Sequence, residues 1–299
     1  MQTAPTPPGL LEPSRRVLFV FAHPDDELPY AGLISRAPIQ SRFLWITNGD
    51  GLAQEAGMGL GEYADARRLE STVAMRTLGV KADQLRFLGH SEVSIYRNFT
   101  LLADPSARRH EVLGLFKAIG AQVEAEVKAF RPDVVFTLAW QGGHPEHDLT
   151  HIATRAALRD MPEVRFFELP EYELANTVLL RFPPWRRDPV HEVLLTPSEL
   201  GLKKRLEGLY PTQDRIIRQF RTALSVLGVL SLLTGRRGGL DGFMSRETFG
   251  PVPAKRDYRR SPHSLDALEY VGDDFEGTPI AYSTMIAPLA DALLSRNLR

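Results

Sequence analysis

Residues 17–27, Val-Leu-Phe-Val-Phe-Ala-His-Pro-Asp-Asp-Glu, constrain this chain more than any other stretch. Five apolar and partly β-branched residues predict a buried strand. That strand runs directly into an imidazole and three carboxylates. Pro24 has no backbone N–H and a fixed φ, which suits a turn or the first position of a helix. Acids just after it sit where a helix dipole favours negative charge. A helical turn here puts His23 and Asp26 on one face and sends Asp25 elsewhere. A hydrolytic metal site uses such parts: nitrogen and oxygen ligands, plus an uncoordinated base for water. A helix cap with surface acids would account for Asp25, Asp26 and Glu27 alone. It does not account for a histidine set between a buried strand and an acidic turn.

The chain then alternates strands and helices. Phe43–Thr47 reads as a second buried strand, stopped by Asn48-Gly49-Asp50-Gly51. Tyr63–Leu78 has helical spacing with Gly79 as its stop, and Leu85–Leu88 is a short third strand. His110–Phe130 reads as a long helix with Leu113, Phe116, Val123 and Val127 inward, and Val134–Leu138 as the fourth strand. Asp148–Leu158 and Val164–Leu169 supply a further helix and strand. This βαβα rhythm predicts an α/β fold, a Rossmann-like three-layer sandwich whose sheet is mostly parallel. Ligands of such sheets bind beyond the carboxyl ends of the strands, where the winding reverses. In the common order 3-2-1-4-5, strands 1 and 4 are neighbours at that crevice, so the turns after residues 21 and 138 should form one composite site.

The second turn, Gly142-Gly143-His144-Pro145-Glu146-His147, supplies what the first lacks. His144 and His147 are three apart; one can complete a metal shell and the other face the substrate. A shell of His23, Asp26 and His147 is two imidazoles and a carboxylate with an open position, as in catalytic zinc sites. Asp25 is the obvious base, and His144 a donor to a developing oxyanion or leaving amine.

AHPDDE after an apolar strand, with HPxH about 120 residues later, resembles the LmbE/PIG-L family of zinc-dependent de-N-acetylases. The similarity covers roughly 17–170, with weaker echoes at Arg67-Arg68-Leu69-Glu70, Phe87-Leu88-Gly89, Lys204–Gln213, and Glu247 with Phe249. It implies removal of an acetyl group from an N-acetylglucosaminyl-type amide. It also implies zinc on His23, Asp26 and His147, Asp25 as general base and His144 as acid or oxyanion stabiliser. Many members read His-Pro-Asp-His at the second turn, where this chain has Glu146. Glu146 is therefore expected to support the ligands without joining them, and His151, one helical turn beyond His147, to have a supporting or packing role. Arg67, Arg68, His90, Tyr210 and Gln213 are expected near the substrate.

Two His and one carboxylate also suit Fe(II) or another divalent ion, so a non-haem iron oxygenase is the rival enzyme class. A relict zinc- or sugar-binding protein is the third reading, made thinkable by Glu146. Zero Cys among 299 residues excludes disulfides, thiolate ligands and a Cys nucleophile. A net charge of −1 gives no global field for nucleic acid. The Pro-rich start has no apolar core of a secretory signal, and no apolar run has membrane-spanning length. The expectation is a cytoplasmic hydrolase with a flexible tail over 1–14 and a single domain over 15–299. In that domain 15–170 is the core and 171–299 a C-terminal α+β elaboration. The apolar run 223–233 reads as a buried helix or an oligomer contact, leaving room for a homo-oligomer. Sugar recognition falls to loops 52–62, 91–109 and 236–250.

Overall fold

The computed structural model describes residues 3–173, 178–183, 186–233, 239–263, 269–270 and 272–295. The first half runs β1 (Thr3–Pro5), β2 (Val17–Phe21), α1 (Ala31–Ser35), β3 (Arg42–Thr47), α2 (Leu60–Thr77) and β4 (Leu85–His90). It continues through α3 (Glu92–Ala103), α4 (Arg109–Phe130), β5 (Val134–Leu138), α5 (Pro145–Ala157) and β6 (Arg165–Leu169). The second half runs β7 (Tyr172–Glu173), β8 (Val178–Leu179), β9 (Val190–Leu194), α6 (Pro197–Glu207), α7 (Asp214–Leu233) and α8 (Gly239–Met244). β10 (Arg246–Pro251), β11 (Asp274–Phe275), β12 (Thr278–Pro279) and α9 (Ala287–Leu294) complete it.

Eight strands make the main sheet, in the order β1-β9-β10-β6-β5-β2-β3-β4. From β4 to β6 every pairing is parallel, and β10 joins antiparallel to both β6 and β9. The five parallel strands reproduce the expected 3-2-1-4-5 winding, so β2 and β5 lie side by side at the reversal. Strand β2 explains why it occupies the centre: all five residues are fully buried, and they alternate between two cores. Leu18 and Val20 pack with Leu44, Ile46 and Val135 against Phe99, Phe116, Val123 and Ile152 of α3, α4 and α5. Val17, Phe19 and Phe21 face the other layer with Phe43, Trp45, Leu33 and Met75. Phe19 stacks on Phe43 at 5.0 Å and on Phe136 at 4.9 Å between ring centroids, so truncating it to Ala would cost about 3–5 kcal/mol.

Several expectations need correction. Thr3–Pro5 is not a loose tail: it pairs with Val190–Glu192, and Leu10 is buried in the core. Residues 92–103 are a helix where a loop was expected; Ser91 caps it by accepting from Ser94 N–H, and Ile95, Phe99 and Leu102 face inward. Val190–Leu194 joins the main sheet, because β10 ties it to β6. The inward residues of α4 are Val112, Phe116, Ile119, Val123 and Val127, with Leu113 only partly buried. Within 236–250, α8 and β10 replace most of the expected loop. Side chains 227–233, within the run expected to be a buried helix or an oligomer contact, and residues 234–238 lie outside the described residues.

Candidate active site

The first turn is built by its own carboxylate. Asp26 Oδ2 accepts from the N–H groups of Ala22 (2.9 Å) and His23 (2.7 Å), closing the chain around Pro24 just past the end of β2. Its Oδ1 is left facing His147. Asp25 has a φ of 143°, a region that costs a non-glycine residue of order 1–3 kcal/mol. That backbone turns the Asp25 side chain away from Asp26 and onto Arg67, whose Nη2 lies 3.3 Å from Oδ1. Glu27 points beneath the turn, where it accepts from Trp45 Nε1 (3.0 Å), Tyr210 hydroxyl (2.7 Å) and the Asp25 N–H (3.0 Å).

The second turn is held from α5. Asp148 accepts from Gln141 and Gly142 N–H at 3.1 Å each and from the Tyr270 hydroxyl at 2.6 Å. His144 is the N-cap of α5, with Nδ1 accepting the Glu146 N–H at 3.3 Å and Pro145 in the first helical position. With Nδ1 an acceptor, the proton of the neutral ring sits on Nε2. That nitrogen lies 3.3 Å from the Tyr96 hydroxyl, which donates to Asp273 at 2.8 Å.

The two turns meet. His23 Nδ1 lies 3.3 Å from His147 Nε2 and 3.6 Å from Asp26 Oδ2, and His147 Nε2 lies 3.4 Å from Asp26 Oδ1. On the other edge of the ring, His23 Nε2 meets Glu146 Oε2 at 2.7 Å and Glu92 Oε1 at 3.3 Å. Two sets of donor atoms close enough for one ion are His23–His144–His147 and His23–Glu92–Glu146. Burial disfavours charge throughout, and the neighbours decide the outcome. Burial lowers His144, and the flanking imidazoles push it further, well below the ordinary histidine range. Burial raises Asp25 most, against Arg67, to about 7. Burial alone would raise Asp26, but His147 and His23 hold it well below the carboxylate range.

A cavity of about 550 Å³ opens over this cluster, lined by His23, Asp25, Asp26, His144, His147 and Arg67 among others. A larger cleft of about 1230 Å³, bordered by Arg16 and Pro132, lies at the amino ends of β2 and β5 and contains no histidine. Of the residues expected near the substrate, Arg67 and Gln213 line the cavity; Gln213 also donates to the Tyr63 hydroxyl at 2.8 Å. Tyr210 is fully buried behind the wall on Glu27. Arg68 is exposed over the Phe87 ring and His90 bonds Gln122 at 3.1 Å, so neither reaches the cavity. His151 is a core residue: Nδ1 bonds the Leu138 carbonyl and Nε2 the Tyr258 hydroxyl, both at 2.8 Å. Glu146 touches His23 through its side chain and His144 only through its backbone, so no carboxylate of that residue orients the second imidazole.

Glu92, Tyr96 and Asp273 also line the site and were not anticipated. The apolar spacing of Ile95, Phe99 and Leu102 behind Ser91 would have revealed the helix that brings the first two. Asp273 stands in a turn with no pattern to mark it.

Residues 18–158 match the family model described as PIG-L: GlcNAc-PI de-N-acetylase. A 1D-myo-inositol 2-acetamido-2-deoxy-alpha-D-glucopyranoside deacetylase of Mycolicibacterium smegmatis is 32% identical over 181 residues, 56% of this chain and 61% of that protein. A protein of the same description from Geodermatophilus obscurus is 36% identical over 163 residues, 49% of this chain and 54% of its own. The chain thus spans between half and two thirds of the length of these curated relatives. Among solved structures, an antimicrobial pseudoaglycone deacetylase aligns at TM-score 0.56 and 19% identity, covering 80% of this chain and 97% of the other. A structure described as the zinc inhibited form of teicoplanin deacetylase aligns at TM-score 0.56 and 19% identity, covering 79% and 97%. These two likenesses establish the fold. No helix among the described residues is long and apolar enough to cross a membrane.

Proposed function

We propose, from the match of residues 18–158 to the PIG-L (LmbE-like) family model, that the chain is a metal-dependent amide hydrolase freeing the amine of an N-acetylglucosamine-type substrate. The observation that carries this reading is the divergence of two adjacent carboxylates. Asp26 sits on two imidazoles while Asp25 turns to Arg67, and both line one cavity.

The donor set fits a zinc ion. Two imidazole nitrogens and one carboxylate converge within 3.6 Å of one another, and no proton inventory of neutral rings satisfies all three contacts. Glu146 in this reading accepts from His23 Nε2–H, which leaves the Nδ1 lone pair on the convergent side. In this reading His23, Asp26 and His147 hold the ion. Bound there, zinc supplies a Lewis acid that brings the pKa of water near 7 and polarises a carbonyl.

The chain's own groups account for the proton movements. Asp25 takes a proton from the attacking water as its oxygen bonds to the carbonyl carbon. Arg67 offsets part of the burial that raises that carboxyl to about 7, so the base is ionised above that pH. His144, with its proton on Nε2, donates to the oxyanion of the tetrahedral adduct. The C–N bond then breaks as the proton held by Asp25 passes to the nitrogen, releasing the free amine and the carboxylic acid, which loses its proton to water. Residues 15–299 act as one domain in this reading, since β9 and β10 extend the sheet of the first half and α7 walls the cavity.

The test is release of free amine from N-acetylglucosamine glycosides by zinc-loaded protein. Asp25→Asn is expected to bind zinc at unchanged stoichiometry while turnover falls by about 10²–10⁴. Full turnover by Asp25→Asn, or no amine from any substrate with wild type, overturns the reading.

A further inference from the structure

The cavity over the histidine cluster continues along the inner face of α7. Ile216, Ile217, Phe220 and Leu224 line it with the spacing of one helical stripe, whereas Arg215, Arg218 and Gln219 on the opposite face are exposed. Met244 of α8 and Leu180 add to the apolar wall. Tyr172 joins the two halves: its ring centroid lies 5.5 Å from that of His147 and 5.7 Å from that of Phe220. An apolar surface therefore begins one ring away from the reacting centre. Ile216, Ile217 and Phe220 are only partly removed from water, and an apolar occupant would complete their burial.

Charge narrows the occupant further. Among the described residues, three Lys or Arg side chains line the cavity, and each already has a carboxylate. Arg67 is 3.3 Å from Asp25, Lys203 is 2.9 Å from Glu247 and Arg221 is 2.8 Å from Glu207. Carboxylates outnumber these cations on the same wall, with Glu92, Glu171 and Asp273 among them. A phosphate in the cavity would meet no uncommitted cation and several acids, which is the reverse of an anion site. The buried Glu171 Oε1 has no hydrogen-bond partner, and a substrate hydroxyl would satisfy it.

We propose that the amide substrate carries an uncharged apolar substituent, alkyl or aryl, which lies along α7 between Tyr172 and Leu224. Preferred substrates are then hydrophobic N-acyl amino sugars and not phosphate-bearing conjugates. The inference rests on the amide-hydrolase reading of the same site. The apolar group has two chemical sources, the aglycone or the acyl chain.

The experiment compares four amides on the zinc-loaded protein: N-acetylglucosamine, its octyl glycoside, N-octanoylglucosamine and N-acetylglucosamine 1-phosphate. One octyl compound is expected to exceed N-acetylglucosamine in kcat/KM by at least about tenfold, with the phosphate below it. Which octyl compound wins identifies the source of the apolar group. Leu224→Glu should bring that ratio toward one and Leu224→Met should retain it. A flat profile across the neutral amides, or preference for the phosphate, overturns the inference and leaves amide hydrolysis standing. If no amide is cleaved, hydrolysis is the reading that fails, and calorimetry with octyl glucoside against glucose then decides the inference. Binding of the octyl glycoside at least about tenfold tighter supports it, and equal binding overturns it.

Discussion

His23 and Glu146 meet at 2.7 Å through Nε2 and Oε2, across 123 positions of sequence, which in the proposed metal site leaves Nδ1 as the ring nitrogen for the ion. A ligating histidine that passes its other N–H to a carboxylate has a fixed tautomer and a more basic lone pair. Glu146→Ala is therefore expected to weaken zinc binding by about 10–100-fold. Glu146→Gln, which can still accept through its amide oxygen, should lose less. Competition with a chromophoric chelator measures both, and equal affinities in wild type and Glu146→Ala would remove Glu146 from this role.

In the proposed reaction, Arg67 sets the pH at which Asp25 would act as base. Burial raises the Asp25 carboxyl, and the guanidinium is the strongest opposing influence, leaving it at about 7. Removing the cation raises Asp25 further, so the base is ionised only at higher pH. Arg67→Met is expected to move the ascending limb of kcat/KM to higher pH, with recovery of rate on the alkaline side. A loss of rate that is equal at every pH would instead mean that Arg67 contacts the substrate.

Gly143 is a packing requirement and not a conformational one. A Cβ there would run into the Tyr172 carbonyl, which belongs to backbone and cannot swing aside. Gly143→Ala should cost about 1–3 kcal/mol by denaturant titration. It should also displace Tyr172 from His147, so activity should fall more than stability alone accounts for.

The centre of this molecule was legible because β2 does two things at once. Alternation of Val17, Phe19 and Phe21 against Leu18 and Val20 makes a strand buried on both faces, and such strands lie inside parallel sheets. The reversal of winding then joins the His23 turn to the His144 turn before any contact is known. The substrate wall was not legible in the same way. Arg68 follows Arg67 in sequence, but one helical step of 100° sends it to the outer face, over Phe87. Tyr96 and Asp273 meet across 177 positions through tertiary packing, and neither lies in a local pattern. Thr3–Pro5 reads as polar tail because its order comes from a partner strand nearly two hundred residues away.

The cluster behind the site predicts how the fold responds to acid. Glu168 is buried, yet Arg256 above all, with His151 and Arg186, holds it at about 2, well below its ordinary range. Both guanidiniums contact it directly, Arg256 Nη1 at 2.6 Å and Arg186 Nη1 at 2.5 Å. A carboxyl lowered in the folded state stabilises the fold fully above its unfolded value near 4.5. That stabilisation is lost as pH falls from there toward 2. Buried groups raised in the fold, such as Asp148 at about 7, act with the opposite sign, so the wild-type curve alone does not isolate Glu168. The difference between wild type and Glu168→Gln does, because every other titrating group is shared. At neutral pH the variant should be less stable by about 3–5 kcal/mol, since two buried guanidiniums lose their counter-charge. The gap should narrow by an amount on the order of 3 kcal/mol as pH drops from 4.5 toward 2. Urea titrations at a series of pH values measure it. A gap that stays constant through that window would mean that Glu168 keeps its ordinary affinity for protons, and that its two arginines are held by packing instead.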